Sequence, residues 1–501
     1  MSGVTLITAV TAIGVAVGIG WWSRRWPDQP RRVWPYVIVI SLIIAVGYAA
    51  LSLWLHQHFE THGHDLGIFD QAVWKLSHFT APITTIRRGP IMNLFGDHFD
   101  PILSLLVPFV WLFRSPAVLL IAQATLFAAV IPLLFRLGLA YRLPAWPTLI
   151  FATAFGLNPG FWLAVNFDFH ELAFAPVLII GAVLAAAEHR WRWFWAMIVL
   201  LILTKESLTL YAALIGLMIG LPALIRRTLD RRTLLHAGAC IVTGIVAFFL
   251  ITRLVIPSLS GSQGFLYWNQ YAAYGQSPLQ LAAHMVTQPG HVFGGLIDQP
   301  EKRQTISWMF ASAAFLPIVN WTAWPLFLLA FGERFWSSSY NLWPLQFHYQ
   351  ILLAAILALS TFGVARVLNR WVRFRGLVTA AAVLVFIGTW WVLIQVHPWQ
   401  RLTAIDIQAR PIDAWQQALR RIPPRDPAAA QDAFVPHLSQ RDRIYQFPVI
   451  NDARWIILDP RAPSWPLTAI EVQQAQRELR ADPRWALIED RDALTVFRRI
   501  D

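Results

Sequence analysis

The chain is short of charge. Only 14% of its 501 residues are Asp, Glu, Lys or Arg, against about 25% in an ordinary soluble domain. That shortage, with 56% hydrophobic residues and a mean hydropathy of +0.50, excludes a soluble enzyme and a disordered chain. Cysteine is nearly absent: the single Cys240 lies in an apolar run, so no internal disulfide can form. Acidic residues are scarce beside basic ones, 28 against 40. Such a balance suggests a nucleic-acid partner only when the basic residues form a patch. Here they sit in short clusters between apolar runs, which is how a multi-pass membrane protein marks its cytoplasmic loops. No nucleic acid is expected. Phosphate-loop, glycine-rich dinucleotide and Cys-x-x-Cys motifs are all missing.

Long apolar runs are what the chain has instead. A bilayer core about 30 Å thick needs roughly 20 apolar residues in a helix, and about twelve stretches qualify, some of them short. They are Val4 to Trp22, Trp34 to Leu55, 116–135, 146–163, 172–188, 193–204, 207–223, 234–256, a hairpin over 305–332 broken near Pro317 and Asn320, 349–367 and 377–397. Pro101 to Phe113 is apolar but too short to span, and reads as an interfacial helix. Clusters at Arg24, Arg25, Arg31 and Arg32, at 136–145, 189–192, 226–232 and 366–375 all fall on one side if 101–113 does not cross. The 26 Trp residues, many at the ends of these runs, suit the aromatic belts of the two interfaces.

Hydropathy falls after Pro398. Residues 400–501 show a helical period over Ile412 to Arg421 and Thr468 to Leu479. Strands are expected at Ile444 to Phe447, Trp455 to Leu458, Trp485 to Ile488 and Leu494 to Phe497. The expected organisation is an extra N-terminal helix and basic cytoplasmic loop over residues 1–33, a membrane domain over 34–398 with an external loop at 56–115, and a soluble extracytoplasmic α/β domain over 399–501. The fold class is an all-α polytopic membrane protein with a small C-terminal α/β domain.

Five polar clusters fall on the outer side of this topology. They are 62–74 with Asp65 and Asp70, 96–101 with Asp97, His98 and Asp100, 166–171 with Asp168, His170 and Glu171, 204–207 with Lys205 and Glu206, and 340–349 with Tyr340 and His348. Each has an inert reading: a helix cap at Asp65, a solvated pair at Lys205–Glu206, an ordinary loop at Asp168–Glu171. His58 and His62, four apart, could share a helix face as metal ligands, but separate loop histidines fit the spacing better. Ionisable groups near membrane depth cost a few kcal/mol each, and five clusters on one face point to chemistry. Transfer of a sugar from a lipid phosphate needs a carboxylate to take the acceptor proton and cations to stabilise the departing phosphate.

The strings Asp-Leu-Gly-Ile-Phe-Asp-Gln-Ala-Val-Trp (65–74), Gly-Asp-His-Phe-Asp-Pro-Ile-Leu (96–103), Phe-Asp-Phe-His-Glu (167–171) and Thr-Lys-Glu-Ser (204–207) resemble, in this order, a bacterial family of predicted membrane proteins, domain of unknown function 2079. The resemblance covers roughly 45–400 and extends loosely into the tail at 436–445. That family is similar to the C-type glycosyltransferases, among them the protein mannosyltransferases and the lipid A aminoarabinose transferase. The resemblance implies an inner-membrane enzyme that uses polyprenyl-phosphate-linked sugars, inverts the anomeric centre, and transfers to a glycan, lipid or protein acceptor. By position Asp65 matches the acid of the first external loop, although Leu66 stands where that motif usually has Glu. Asp168 matches a second acid of some members.

The expected site is therefore Asp65 as base with Asp70 next in line, and Lys205 on the donor phosphate with Glu206 holding it. His98, Tyr340 and His348 are further substrate contacts. Asp168, His170 and Glu171 would bind a divalent cation (Mg or Mn) or orient the acceptor. Rival readings are a transporter or lipid flippase, against which no repeat relates residues 34–230 to 234–397, and a non-catalytic membrane assembly protein.

Overall fold

The computed structural model describes residues 3–23, 28–86, 92–225, 230–261, 267–371, 375–399 and 410–500. Arg24, Arg25, Arg87, Arg88, Arg226, Arg227 and Arg373 of the expected loop charges lie outside the described residues. The chain is a mostly helical, multi-pass membrane protein. Among the described residues six helices are long and apolar enough to cross a bilayer: Pro30–Gln57, Ala117–Ala140, Ala145–Val165, Arg231–Ser260, Ile351–Arg370 and Gly376–Val396. Five shorter apolar helices accompany them, Thr11–Trp22, Pro101–Phe113, Glu171–Ala187, Trp191–Ile202 and Leu208–Pro222. Together these follow the apolar runs of the sequence. The expected hairpin is broken where Ala314 and Phe315 adopt positive φ of 49° and 57°. Two short turns, Leu316–Val319 and Trp321–Ala323, then lead into the Trp324–Phe335 helix.

Lipid offers no hydrophobic drive for one helix to bind another, so small residues that permit close backbone approach set the contacts. Gly244 and Gly216 do this between Arg231–Leu250 and Leu208–Ile225. A Cβ on Gly244 would lie 2.4 Å from the Thr209 carbonyl oxygen, and one on Gly216 2.7 Å from that of Ala237. Elsewhere a buried hydroxyl does the work: Tyr48 donates to the Gly156 carbonyl at 2.8 Å, tying Pro30–Gln57 to Ala145–Gly156. The Pro101–Phe113 segment exposes Phe109, Trp111, Leu112 and Phe113, the surface of an element that meets lipid.

The 56–115 loop carries a π-helical turn, Gly63–Gly67, that runs into the Ile68–Ser77 helix. It also carries a short hairpin of β1 (Ile83–Thr84) and β2 (Met92–Asn93).

The tail folds as a five-stranded sheet. Its strands are β3 (Ala428–Ala430), β4 (Ile444–Gln446), β5 (Trp455–Leu458), β6 (Trp485–Arg491) and β7 (Leu494–Arg499), in the order β4-β3-β5-β7-β6. β3 is parallel to β4 and β5, while β7 is antiparallel to β5 and β6. Alternate residues along a strand face opposite sides, and both sides are used. Ala429, Tyr445, Ile456 and Phe497 pack with Val472 and Leu479 of the Ala469–Ala481 helix. Ala428, Ala430, Ile444, Ile457 and Val496 belong to the same apolar core as the membrane helices. The Ile412–Arg421 helix inserts Trp415 there, against Phe59 and Phe434. The Ala469–Ala481 helix starts at a capping box, Thr468 with Glu471. Four strands and both helices match the sequence pattern within a few residues. β3 is the strand it did not show.

Candidate functional site

All five polar clusters contribute residues to one cavity of about 670 Å³ between the 56–115 loop and the helix ends. Asp65 reaches it from the π-helical turn, where the carboxyl keeps 22% of its side-chain surface exposed. Its Oδ1 faces His170 Nε2 at 3.1 Å. Burial alone would raise the Asp65 carboxyl, but the His170 hydrogen bond and charge, with His62 and His64 nearby, hold it below the usual carboxylate range. The His170 ring stacks on His348, which also lines the cavity.

Lys205 also lines the cavity, from the break between the Trp191–Ile202 and Leu208–Ile225 helices. Its Nζ donates to Glu171 Oε1 at 2.8 Å. Glu206 points elsewhere. It accepts from the Phe99 backbone N–H at 2.9 Å and its Oε1 meets His98 Nδ1 at 2.8 Å. Adjacent residues do not face the same way, so the expected Lys205–Glu206 hold is corrected to Lys205–Glu171. The site therefore has a cation paired with one carboxylate and bordered by others.

Asp97 and Asp100, to which the sequence pattern gives no role, also line the cavity. Asp97 Oδ1 accepts from the Tyr267 hydroxyl at 2.6 Å. Asp100 is 1% exposed, and among the described residues neither of its carboxyl oxygens has a hydrogen-bond partner. Burial first, and the Glu171 carboxylate next, push its pKa well up, which favours its protonated form. Arg334 and Glu333 complete the far wall. Arg334 donates from Nε to the Leu342 carbonyl at 2.9 Å, and Glu333 accepts from Tyr211 at 2.8 Å. Their only sequence signal was a charged pair closing an apolar run.

Other expectations need correction. Asp70 is buried and faces away from the cavity. It accepts from Ser439 Oγ at 2.5 Å and from Gln440 Nε2 at 3.1 Å, and burial raises it to about 6. It anchors the tail and does not reach the cavity. Tyr340 is 53% exposed and packs on Trp343 outside the cavity. Asp168, His170 and Glu171 do not converge. Asp168 Oδ2 accepts from the His62 backbone N–H at 3.1 Å and meets its Nδ1 at 2.7 Å, while His170 turns to Asp65 and Glu171 to Lys205. Among the described residues no three His, Cys, Asp or Glu side chains are grouped to hold a metal. His58 stays on its own helix, its Nδ1 2.7 Å from the Trp54 carbonyl oxygen, away from His62.

Beyond the polar end the cavity turns apolar. Leu210, Phe248, Phe249, Leu281 and Met285 line it, and Phe249 is 48% exposed, so this end opens on the outer surface of the Arg231–Leu250 helix. The whole is amphiphilic: acids, imidazoles and a lysine at one end, an apolar slot facing the membrane region at the other.

Comparison with solved structures gives the fold a neighbour. The crystal structure of ArnT from Cupriavidus metallidurans bound to undecaprenyl phosphate superposes with a TM-score of 0.52 at 12% identity, over 92% of this chain and 98% of that one. The apo structure of ArnT from the same organism gives a TM-score of 0.47 at 13% identity, over 94% and 99%. At such identity the likeness is one of fold. No curated protein matches in sequence. The model of the family described as "Predicted membrane protein (DUF2079)" matches residues 55–496, and the chain belongs to that family.

Proposed function

We propose that the protein is an integral membrane glycosyltransferase that moves a sugar from a polyprenyl-phosphate donor to an acceptor hydroxyl. The observation that carries the reading is one amphiphilic cavity, lined by an ionised carboxylate, Asp65, and a half-buried ammonium, Lys205, with an apolar slot leading to the lipid side. The ArnT structure supports it at the level of fold, and the lipid bound there is of the class the slot would take.

The isoprenoid chain lies against Phe248, Phe249 and Met285, and the phosphate sits at Lys205. The acceptor oxygen attacks the anomeric carbon from the side opposite the phosphate, and its proton passes to Asp65, which His170 orients. The bond between that carbon and the phosphate oxygen breaks, and its electron pair leaves with polyprenyl phosphate. One in-line displacement inverts the anomeric centre. The leaving phosphate gains charge, which Lys205 stabilises. Asp100 carries its proton and adds no repulsion. A positioned base contributes about 10²–10⁴ in rate.

The tail and the 63–85 loop pack together, so they share a side of the membrane. The arginine loops put the opposite side in the cytoplasm, so residues 399–501 and the site face outward from a bacterial inner membrane, above a catalytic domain of residues 34–398. The experiment is donor capture by the purified protein. A photoactivatable polyprenyl phosphate should label Phe248–Phe249 peptides and be displaced by undecaprenyl phosphate, and Lys205→Met should lose the labelling. Labelling without any sugar transfer, accompanied by movement of the lipid between leaflets of a vesicle, would favour a flippase.

A further inference from the structure

The turn that carries Asp65 is gripped from two sides. On the membrane side Asp168 holds His62. The tail holds the other side, residue by residue. The Gly63 N–H donates to Asp432 Oδ1 at 2.9 Å, and Gln446 Nε2 donates to the same oxygen at 3.1 Å. Val435 stands directly over the turn. A Cβ on Gly63 would come within 2.7 Å of Val435 Cβ, and one on Gly67 within 3.1 Å of Val435 Cγ1.

Gly67 has ordinary helical angles, φ −61° and ψ −43°, so its backbone does not require glycine. Glycine costs stability in a helix relative to alanine, and here the close approach of Val435 supplies the reason for it. One turn on, Gln71 Nε2 donates to the Arg441 and Asp442 carbonyls at 3.1 and 3.2 Å. Thr85 Oγ1 donates to the Ile444 carbonyl at 2.7 Å and accepts from its N–H at 3.0 Å. None of the tail residues described here lines the cavity. Whatever the tail does for the site, it does through the turn.

We propose that the C-terminal domain is a positioning element of the Asp65 site: the 432–444 segment, through Asp432 and Val435, sets the π-helical turn and so the direction in which Asp65 presents its carboxyl. A π turn is a rare conformation that concentrates at functional sites, and this one is held by contacts far away in sequence. Misplacing a reacting group by about 1 Å can cost roughly 10²-fold in rate. Loss of the grip therefore lowers the rate of the chemical step and leaves donor binding, which rests on Lys205 and the apolar slot, in place. The kinetic consequence rests on the glycosyltransferase reading. The grip itself does not.

The test uses the full chain in lipid nanodiscs, with two readouts. In transfer assays with a labelled polyprenyl-phosphate sugar, Gly63→Ala should cut kcat at least about tenfold with the donor KM within about twofold, by the positioning argument. Val435→Gly added to it removes the Cβ and both Cγ atoms that the new methyl would meet and should restore most of kcat. In hydrogen exchange, Asp432→Ala should speed exchange in peptides covering 62–68 while peptides from Ala117–Ala140 keep their protection. Unchanged kcat in Gly63→Ala, no recovery in the double variant, or unaltered exchange at 62–68 would overturn the proposal. If the wild type transfers no sugar, the glycosyltransferase reading fails on that result, and the exchange readout alone decides whether the tail holds the turn.

Discussion

Removing the positive charge of Lys205 should unfold the site before it touches any chemistry. Its Nζ lies 2.8 Å from Glu171 Oε1, with the lysine side chain 20% and the glutamate 2% exposed. At an effective dielectric near 20 the gross attraction at that distance is about 6 kcal/mol. Desolvation of both ions takes back most of it. What remains is the asymmetry: stripping one partner leaves a buried, uncompensated charge and costs about 3–5 kcal/mol. Lys205→Met is thus expected to destabilise by about that much, as Glu171 loses its partner and Glu206 loses a nearby positive charge. Glu171→Gln in the same chain removes the orphaned charge, and the double variant should regain at least about half of the loss. Unfolding in detergent, followed by denaturant or by heat, gives the cycle. Capture of a photoactivatable polyprenyl phosphate should stay lost in the double variant, because the phosphate has no cation to meet. A loss under about 1 kcal/mol, or no recovery when Glu171 is neutralised, would refute the electrostatic account of the site.

Three further outcomes follow from the same geometry. Burial raises Asp432 to about 7, whereas the unfolded carboxyl titrates near 3.9. Between those values the folded state holds a proton that the unfolded state has lost, so stability falls as pH rises from about 4 to 7 and levels off above. Asp432→Asn should flatten that slope in unfolding measured across pH, and an unchanged slope would contradict the assignment. Gln71→Ala strips two hydrogen bonds between the loop and the tail, to the Arg441 and Asp442 carbonyls, and leaves the buried Arg441 carbonyl without this donor, at about 1–3 kcal/mol; limited proteolysis should then release the tail faster than in the wild type. Gly244→Val sets a side chain where only 2.4 Å is free, and should separate Arg231–Leu250 from Leu208–Ile225, seen as loss of a cysteine cross-link engineered between them.

The fold was legible wherever a local period governs it. Apolar runs gave the helices, and the short apolar runs at Trp455–Leu458 and Leu494–Phe497 gave strands. β3 was not legible because Ala428–Ala430 carries no β-branched or aromatic residue. It is a strand because three small side chains, all fully buried, fit between β4 and β5 with helices on both faces. The polar clusters were legible as clusters, since charge is expensive beside lipid. Their pairings were not. Asp65 and Asp70 lie five apart in one acidic stretch, and nothing local says that one faces the cavity and the other Ser439. Lys205 and Glu206 are neighbours in sequence yet reach residues 34 and 108 positions away. The tail's hold on Gly63 spans 369 positions, and no pattern within either segment announces it.

The account turns on Asp65 as the base of sugar transfer. The direct measurement is single-turnover transfer from a panel of labelled polyprenyl-phosphate sugars by the purified protein in nanodiscs, wild type beside Asp65→Asn, with capture of the lipid measured in both. The account predicts product from the wild type, a loss of about 10²-fold or more in the variant, and equal capture of the lipid. Equal transfer by both proteins would remove Asp65 from the chemistry, and no transfer by the wild type from any donor it captures would contradict the glycosyltransferase reading itself.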